Sequence, residues 1–119
     1  MLLIQFVLEQ VFHACDIGNP CLDFDQYISW SSLLTYEFNE QARLEKEYNL
    51  EVTDFLVYKG KKQFFKGQLG FISRYFSIKD GLVFPQWKEL SLVWNGFKCL
   101  TEEIETNIKE IERRMEEEK

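Results

Sequence analysis

The sequence is poor in the residues from which most catalytic and metal sites are built. Its 119 residues include one histidine, His13, and three cysteines, Cys15, Cys21 and Cys99. No two cysteines have the C-x-x-C spacing, which argues against a structural zinc site or a disulfide framework and favours the cytoplasm or another reducing intracellular compartment. One histidine cannot complete a histidine triad or an all-histidine metal site. Phosphate-binding glycine loops and the G-x-S-x-G and H-E-x-x-H motifs are also absent.

The sequence also has few positive charges and few long apolar runs. Lysine and arginine total 14 against 20 acidic residues, a net charge of −6. A nucleic-acid binder needs a basic face, so no nucleic-acid partner is predicted. The N-terminal run MLLIQFVLEQVF contains Gln5, Glu9 and Gln10, lacks a positive leader and is too short to span a bilayer. The run is therefore predicted to be a buried helix, and no membrane span is expected.

Apolar residues are plentiful, at 45% of the sequence with 11 phenylalanines, which is enough for one small domain with a single core. They recur mainly at steps of three and four, so the predicted fold class is all-α. Residues 49–66 are predicted to be a loop, and SIKDGLVFP a break between helices. The predicted helices run from Leu2 to about Cys15, from Asp23 or Asp25 to about Tyr48, from Phe64 or Gly67 onwards, and as one long helix from about Pro85 to the end.

The second and last predicted helices carry the clearest apolar stripes. In the second helix the stripe is Tyr27, Trp30, Leu34 and Phe38. In the last helix it is Leu100, Ile104, Ile108, Ile111 and Met115. The latter spacing is typical of a coiled-coil seam and equally of a helix lying on a core. Residues 98–119 are predicted to form an amphipathic, acidic helical tail.

Polar residues follow the N-terminal apolar run in the stretch HACDIGNP, residues 13–20. On pattern alone, Asp16 is a helix-terminal residue and His13 a partly buried histidine with satisfied polar atoms. Three further motifs then follow in order, at Tyr27 and Trp30, at Glu37, Phe38, Gln41 and Glu45, and at Gln68, Gly70 and Phe71.

This ordered set, H-x-x-D-x-x-N-P, Y-x-x-W, E-F-x-x-Q-x-x-x-E and Q-x-G-F, resembles the C-terminal part of the catalytic domain of class I 3′,5′-cyclic nucleotide phosphodiesterases. The resemblance covers residues 12–87, so the chain is expected to be a single partial domain. It implies a helical array corresponding to the C-terminal part of this HD-type domain, with a long C-terminal helix. The implied reaction is metal-dependent hydrolysis of cAMP or cGMP to the 5′-nucleotide.

The resemblance also implies roles for individual residues. Asp16 matches the aspartate that ligates the tightly bound metal, and an oxygen ligand suits a divalent ion. Gln68 matches the glutamine that hydrogen-bonds the purine, since its amide both donates and accepts. Phe71 matches the phenylalanine that stacks on the base. The remaining matches to residues around the nucleotide pocket are Asn19, Tyr27, Trp30, Leu34 and Phe38, and for Trp30 and Phe38 core packing is an equally good reading.

The sequence also departs from the family pattern. The metal-binding histidines and the proton-donating histidine of the family come from segments upstream of the Asp16 helix, so the ligand set for zinc and magnesium is incomplete here. Ala42 and Arg43 replace the usual Gly-Asp after Gln41. The chain alone is therefore expected to be inactive, and the sequence does not distinguish a preference for cAMP from one for cGMP.

Two functions remain open from the sequence. The chain is either part of an active phosphodiesterase whose metal half is elsewhere, or a truncated, non-catalytic relative that starts at Met1 and serves as a structural or interaction subunit of a larger assembly. The expected partners are a cyclic nucleotide, if the pocket is intact, and another protein or a second copy of the chain. The protein partner is expected because the apolar helix faces would otherwise lack cover.

Overall fold

The computed structural model describes residues 2–54, 57–76 and 84–118, and in this part of the chain all regular structure is helical. The all-α prediction is confirmed. The elements, in chain order, are α1 (Leu2–Ile17), a 3-10 turn (Asn19–Cys21), α2 (Phe24–Glu47), α3 (Lys61–Phe76), α4 (Phe84–Ser91) and α5 (Asn95–Glu117). No helix in these ranges has the length and apolarity needed to cross a membrane.

The core lies where α5 packs against α4, the 3-10 turn and α3. Its centre is Trp87, which is fully buried. The Trp87 ring lies 5.3 Å from the Phe76 ring and 5.9 Å from the Phe97 ring, measured between centroids. Ile104 and Ile111 are also fully buried, so α5 lies on the core of its own chain. Of the two readings of the α5 stripe, the structure shows the core helix.

The prediction of one long helix from Pro85 to the end is wrong. Ser91 ends α4, and the amides of Leu92 and Val93 then bond to carbonyls three residues back, which closes a tight turn. Trp94 is extended, with φ −129° and ψ 119°, and α5 starts at Asn95. A continuous helix would separate Trp87 from Phe97 by about 15 Å along its axis, whereas the turn lets both rings enter the core.

Two smaller predictions also need correction. The third helix begins at Lys61 rather than at Phe64 or Gly67, because Gly60 takes a positive φ of 101° and its carbonyl accepts from the Phe64 amide at 3.0 Å. The N-terminal helix is present, but none of its residues is buried. Phe6, Val7, Ala14 and Ile17 are partly buried against the core, whereas Leu2, Leu3, Ile4 and Phe12 stay exposed. The predicted break at SIKDGLVFP lies largely outside the described residues.

Candidate functional site

A cleft of about 1270 Å³ runs between the end of α1, the 3-10 turn, α2 and α3. Polar, aromatic and aliphatic side chains all line it. All eight site residues selected from the sequence line this cleft: Asp16, Asn19, Tyr27, Trp30, Leu34, Phe38, Gln68 and Phe71. Their roles remain predictions, but four separate segments bring them to one surface.

The corner between α1 and α2 carries Asp16 and Asn19. Gly18 stands between them because a Cβ at this position would lie 2.2 Å from the carbonyl oxygen of Ala14. The chain then turns at Pro20, and the Gly18 carbonyl accepts from the Cys21 amide at 2.8 Å. Asp23 caps α2 by accepting from the Gln26 amide at 3.2 Å. The tight corner puts Asp16, which is exposed, and Asn19 on the same rim of the cleft.

A hydrogen bond between α2 and α3 is a second polar feature of the cleft. The Tyr27 hydroxyl donates to Oε1 of Gln68 at 2.9 Å. Tyr27 is 1% exposed, and burial raises the pKa of its hydroxyl above the ordinary value, so the hydroxyl stays protonated and remains a donor. With Oε1 held in this way, the orientation of the Gln68 amide is fixed and its NH₂ group points away from the tyrosine.

Large apolar side chains also line the cleft and are open to solvent. Phe71 is 37% exposed and Trp30 is 59% exposed, values that are high for large apolar side chains on a small domain. The Phe71 ring lies 4.8 Å from the Tyr75 ring and 6.3 Å from the Phe76 ring, measured between centroids, so neighbouring rings support it where it lines the cleft. An open, partly supported aromatic surface is suited to stacking on a flat ligand.

Several residues that line the cleft were not selected from the sequence, among them Ser31, Tyr58, Arg74 and Tyr75. Ser31 is 2% exposed and lies one helical turn after Tyr27 on α2. Arg74 and Tyr75 continue the cleft beyond Phe71 on α3. Helical spacing would have found these three, since Ser31 lies four residues after Tyr27. Tyr58 comes from the loop before α3, where no periodicity exists to place it.

Tyr58 is held in the cleft wall from two sides. Its backbone amide donates to Oδ1 of Asn39 at 3.1 Å, which ties the loop to α2. Its ring lies against Gly67, where a Cβ would come within 2.1 Å of a ring carbon. Gly67, which directly precedes Gln68, therefore leaves the space on α3 that the Tyr58 ring occupies.

The described residues do not complete a metal site. No group of three or more histidine, cysteine, aspartate or glutamate side chains is placed to hold an ion within the described ranges. Zinc takes four ligands and magnesium six, so Asp16 alone does not fit a resident metal. A divalent ion at Asp16 would need ligands from outside these residues, as the sequence comparison also implied.

Comparison with known proteins gives one consistent result. The family model described as 3′5′-cyclic nucleotide phosphodiesterase matches residues 2–104. The chain is 29% identical over 109 residues to the 3′,5′-cyclic-AMP phosphodiesterase 4 of Dictyostelium discoideum, across 91% of this chain and 10% of that protein. It is 44% identical over 46 residues to the dual specificity calcium/calmodulin-dependent 3′,5′-cyclic nucleotide phosphodiesterase 1 of Drosophila melanogaster, across 39% of this chain and 6% of that protein. The chain thus spans a tenth or less of these relatives' length. No solved structure matches significantly.

Proposed function

Because this chain belongs to the 3′,5′-cyclic nucleotide phosphodiesterase family, we propose that its cleft forms the base-binding wall of a cyclic nucleotide site. The observation that carries the proposal is the hydrogen bond from Tyr27 to Gln68, which holds an amide in one orientation beside an open aromatic face. Pre-orienting a polar group lowers the entropy lost when a ligand binds.

In this proposal each part of the cleft meets one part of the nucleotide. Gln68 exchanges hydrogen bonds with the polar edge of the purine, and the exposed face of Phe71 stacks on the ring. Asn19 supplies a second amide from the 3-10 turn. Trp30, Leu34 and Phe38 enclose the apolar surface. The cleft volume of about 1270 Å³ is larger than one nucleotide requires, which fits a wall that another segment must complete.

Hydrolysis is not a property we assign to this chain alone. Asp16 is a suitable ligand for a divalent ion at the rim of the cleft, and a bound ion would supply electrophilic and water-activating chemistry in this family. The residues here bind and orient the nucleotide, whereas a working metal centre needs zinc and magnesium ligands from elsewhere. With zinc and magnesium added, we expect no cyclic nucleotide turnover by this chain; turnover that disappears on Asp16→Ala would contradict that expectation.

Nucleotide binding tests the proposal directly. Calorimetry of the chain with cAMP and with cGMP should give heat with at least one of them. Gln68→Leu should weaken binding by about tenfold or more, because it removes both partners offered to the base. Gln63→Leu is the matched control, since Gln63 lies on the same helix and its Oε1 accepts from the Lys59 amide, outside the cleft. No heat with either nucleotide, or equal loss in both variants, would overturn the proposal.

A second candidate, a structural or interaction subunit, is favoured by α1. Its apolar residues are widely exposed: Leu2, Leu3, Ile4 and Phe12 are between 66% and 86% exposed. Apolar surface of this extent normally acquires a partner, and we propose that the chain self-associates through α1. Sedimentation should then show oligomers at micromolar concentration that Leu3→Lys disperses. Leu92→Lys, at an equally exposed site outside α1, should leave them intact. A monomeric chain would count against this candidate.

A further inference from the structure

Asn107 is a polar residue in the apolar face of α5. It is fully buried, and so are Ile104 and Ile111, one helical turn away on either side. Its side-chain nitrogen donates two hydrogen bonds, to the Pro20 carbonyl at 2.8 Å and to the Leu22 carbonyl at 2.7 Å. The two bonds join α5 to the 3-10 turn, across more than eighty residues of sequence.

Burial of the Asn107 amide costs free energy unless its two hydrogen bonds compensate for the contacts with water that it loses. Burying an amide requires that its polar atoms find partners, and Oδ1 of Asn107 has none among the described groups. The NH₂ group, in contrast, uses both of its hydrogens on consecutive parts of one turn. An apolar residue of similar size would remove the unpaired oxygen but would leave two carbonyls without this donor. The side chain is therefore placed to fix a backbone path rather than to fill volume.

The fixed path leads directly to the cleft. Asn19 immediately precedes Pro20, Asp16 lies two residues before Gly18, and Leu22 precedes the cap of α2. Holding the carbonyls on both sides of Cys21 sets the direction in which the chain leaves the rim and enters the helix that carries Tyr27. Asn107 lies beyond residues 2–104, so the part of the chain that matches the family model does not include it.

We propose that Asn107 is a positioning residue for the rim of the nucleotide cleft, acting through the Pro20 and Leu22 carbonyls to hold the turn that carries Asn19. The expected effect on nucleotide binding rests on the proposed function, whereas the holding of the turn by Asn107, the mechanical part, does not. The two parts can therefore be measured separately in the same chain.

The rate of alkylation of the Cys21 thiol measures whether Asn107 holds the turn. The thiol lies in the held turn, and burial, followed by the charge of Glu103, raises its pKa to about 12. Since the thiolate is the reactive form, loosening the turn should expose the thiol and speed its alkylation. With peptide-resolved mass spectrometry at pH 8, Asn107→Leu should raise the rate of Cys21 alkylation by iodoacetamide about tenfold, as expected for the loss of two hydrogen bonds.

Thr101→Val is the matched control for that measurement. Thr101 is buried on the same face of α5, but its hydroxyl donates to the Lys98 carbonyl within the helix and not to the turn. The control should leave the Cys21 rate within about twofold. Exposed Cys99 serves as an internal reference for reagent and global unfolding. If Asn107→Leu yields too little folded protein, Asn107→Ala removes the same donor.

Nucleotide affinity then tests the positioning role. At conditions where both variants are fully folded by circular dichroism, Asn107→Leu should weaken cAMP or cGMP binding severalfold and Thr101→Val should not. An unchanged Cys21 rate in both Asn107 variants would overturn the inference, and so would faster alkylation with unchanged affinity. If the unaltered chain binds neither nucleotide, the proposed function fails, and the alkylation ratio alone decides whether Asn107 holds the turn.

Discussion

Tyr27→Phe isolates the hydrogen bond that orients the Gln68 amide. The substitution removes one hydroxyl and keeps the ring, which is 1% exposed and supplies the packing. Gln68 is only half-buried, so water can replace the lost donor on its Oε1. We therefore expect a loss of unfolding free energy of about 1 kcal/mol, the value typical of a single hydrogen bond. Larger losses would indicate that the ring itself had moved.

We expect Tyr27→Phe to change the selectivity between nucleotides more than it changes the stability of the chain. Without the Tyr27 donor, the amide can rotate by half a turn and present either its oxygen or its NH₂ group to the base. Affinity for the preferred nucleotide should fall about three- to tenfold, the size of one oriented hydrogen bond. The other nucleotide should lose less, so the ratio of cAMP to cGMP affinity should move toward one.

Calorimetry with both nucleotides measures these changes, and urea unfolding measures the stability. Tyr36→Phe is the control, since Tyr36 lies on the same helix, is 69% exposed and does not line the cleft. The reasoning is refuted if Tyr27→Phe keeps both affinities within twofold of the unaltered chain. It is also refuted if both affinities fall by the same factor, because that result indicates a distorted cleft rather than a released amide.

Two further predictions concern stability. Gly67→Ala should be less stable than Gly70→Ala by about 1–3 kcal/mol in urea unfolding, because a Cβ at Gly67 would meet the neighbouring tyrosine ring at 2.1 Å while Gly70 faces open space. Equal stabilities would contradict the close approach. Hydrogen bonds from Arg113 and Arg114 lower the pKa of Glu110 from 4.5 to about 2, so this carboxylate supports folding above pH 4.5 and loses that effect as the pH falls through about 2. Glu110→Gln should therefore lower the urea midpoint at pH 5 but not at pH 2.

The site residues could be predicted because they are carried by ordered motifs. Periodicity alone found the stripe of Trp30 and Leu34, which is apolar whether it faces a core or a ligand. The order of Asp16, Gln68 and Phe71 along the chain added the family, and the structure then brings all three to one cleft. Their chemical roles stay predictions that the resemblance implies, whereas their position in one cleft is what the structure adds.

What the sequence did not reveal depends on contacts between distant segments. The bond from Tyr27 to Gln68 joins residues 41 apart, and that from Asn107 to Pro20 joins residues 87 apart. An apolar pattern search passes over Asn107 because it registers only hydrophobic residues. The break after Ser91 was missed for a related reason: no proline marks it, and its benefit is the meeting of two aromatic rings in the core.

The two candidate functions are linked through α1. Asp16 lies near the end of α1, a helix without a buried residue, whereas Gln68 and Phe71 lie on α3, which packs against α5. The part of the cleft at Gln68 is thus anchored to the core, whereas Asp16 lies on a helix whose Ala14 and Ile17 are only partly buried against that core. Because Asp16 is part of that helix, a partner that covers the apolar face of α1 would also fix the position of its carboxylate. Under the two proposals, association through α1 and completion of a metal centre at Asp16 would then be one event, with the proposed base-binding wall already formed before it.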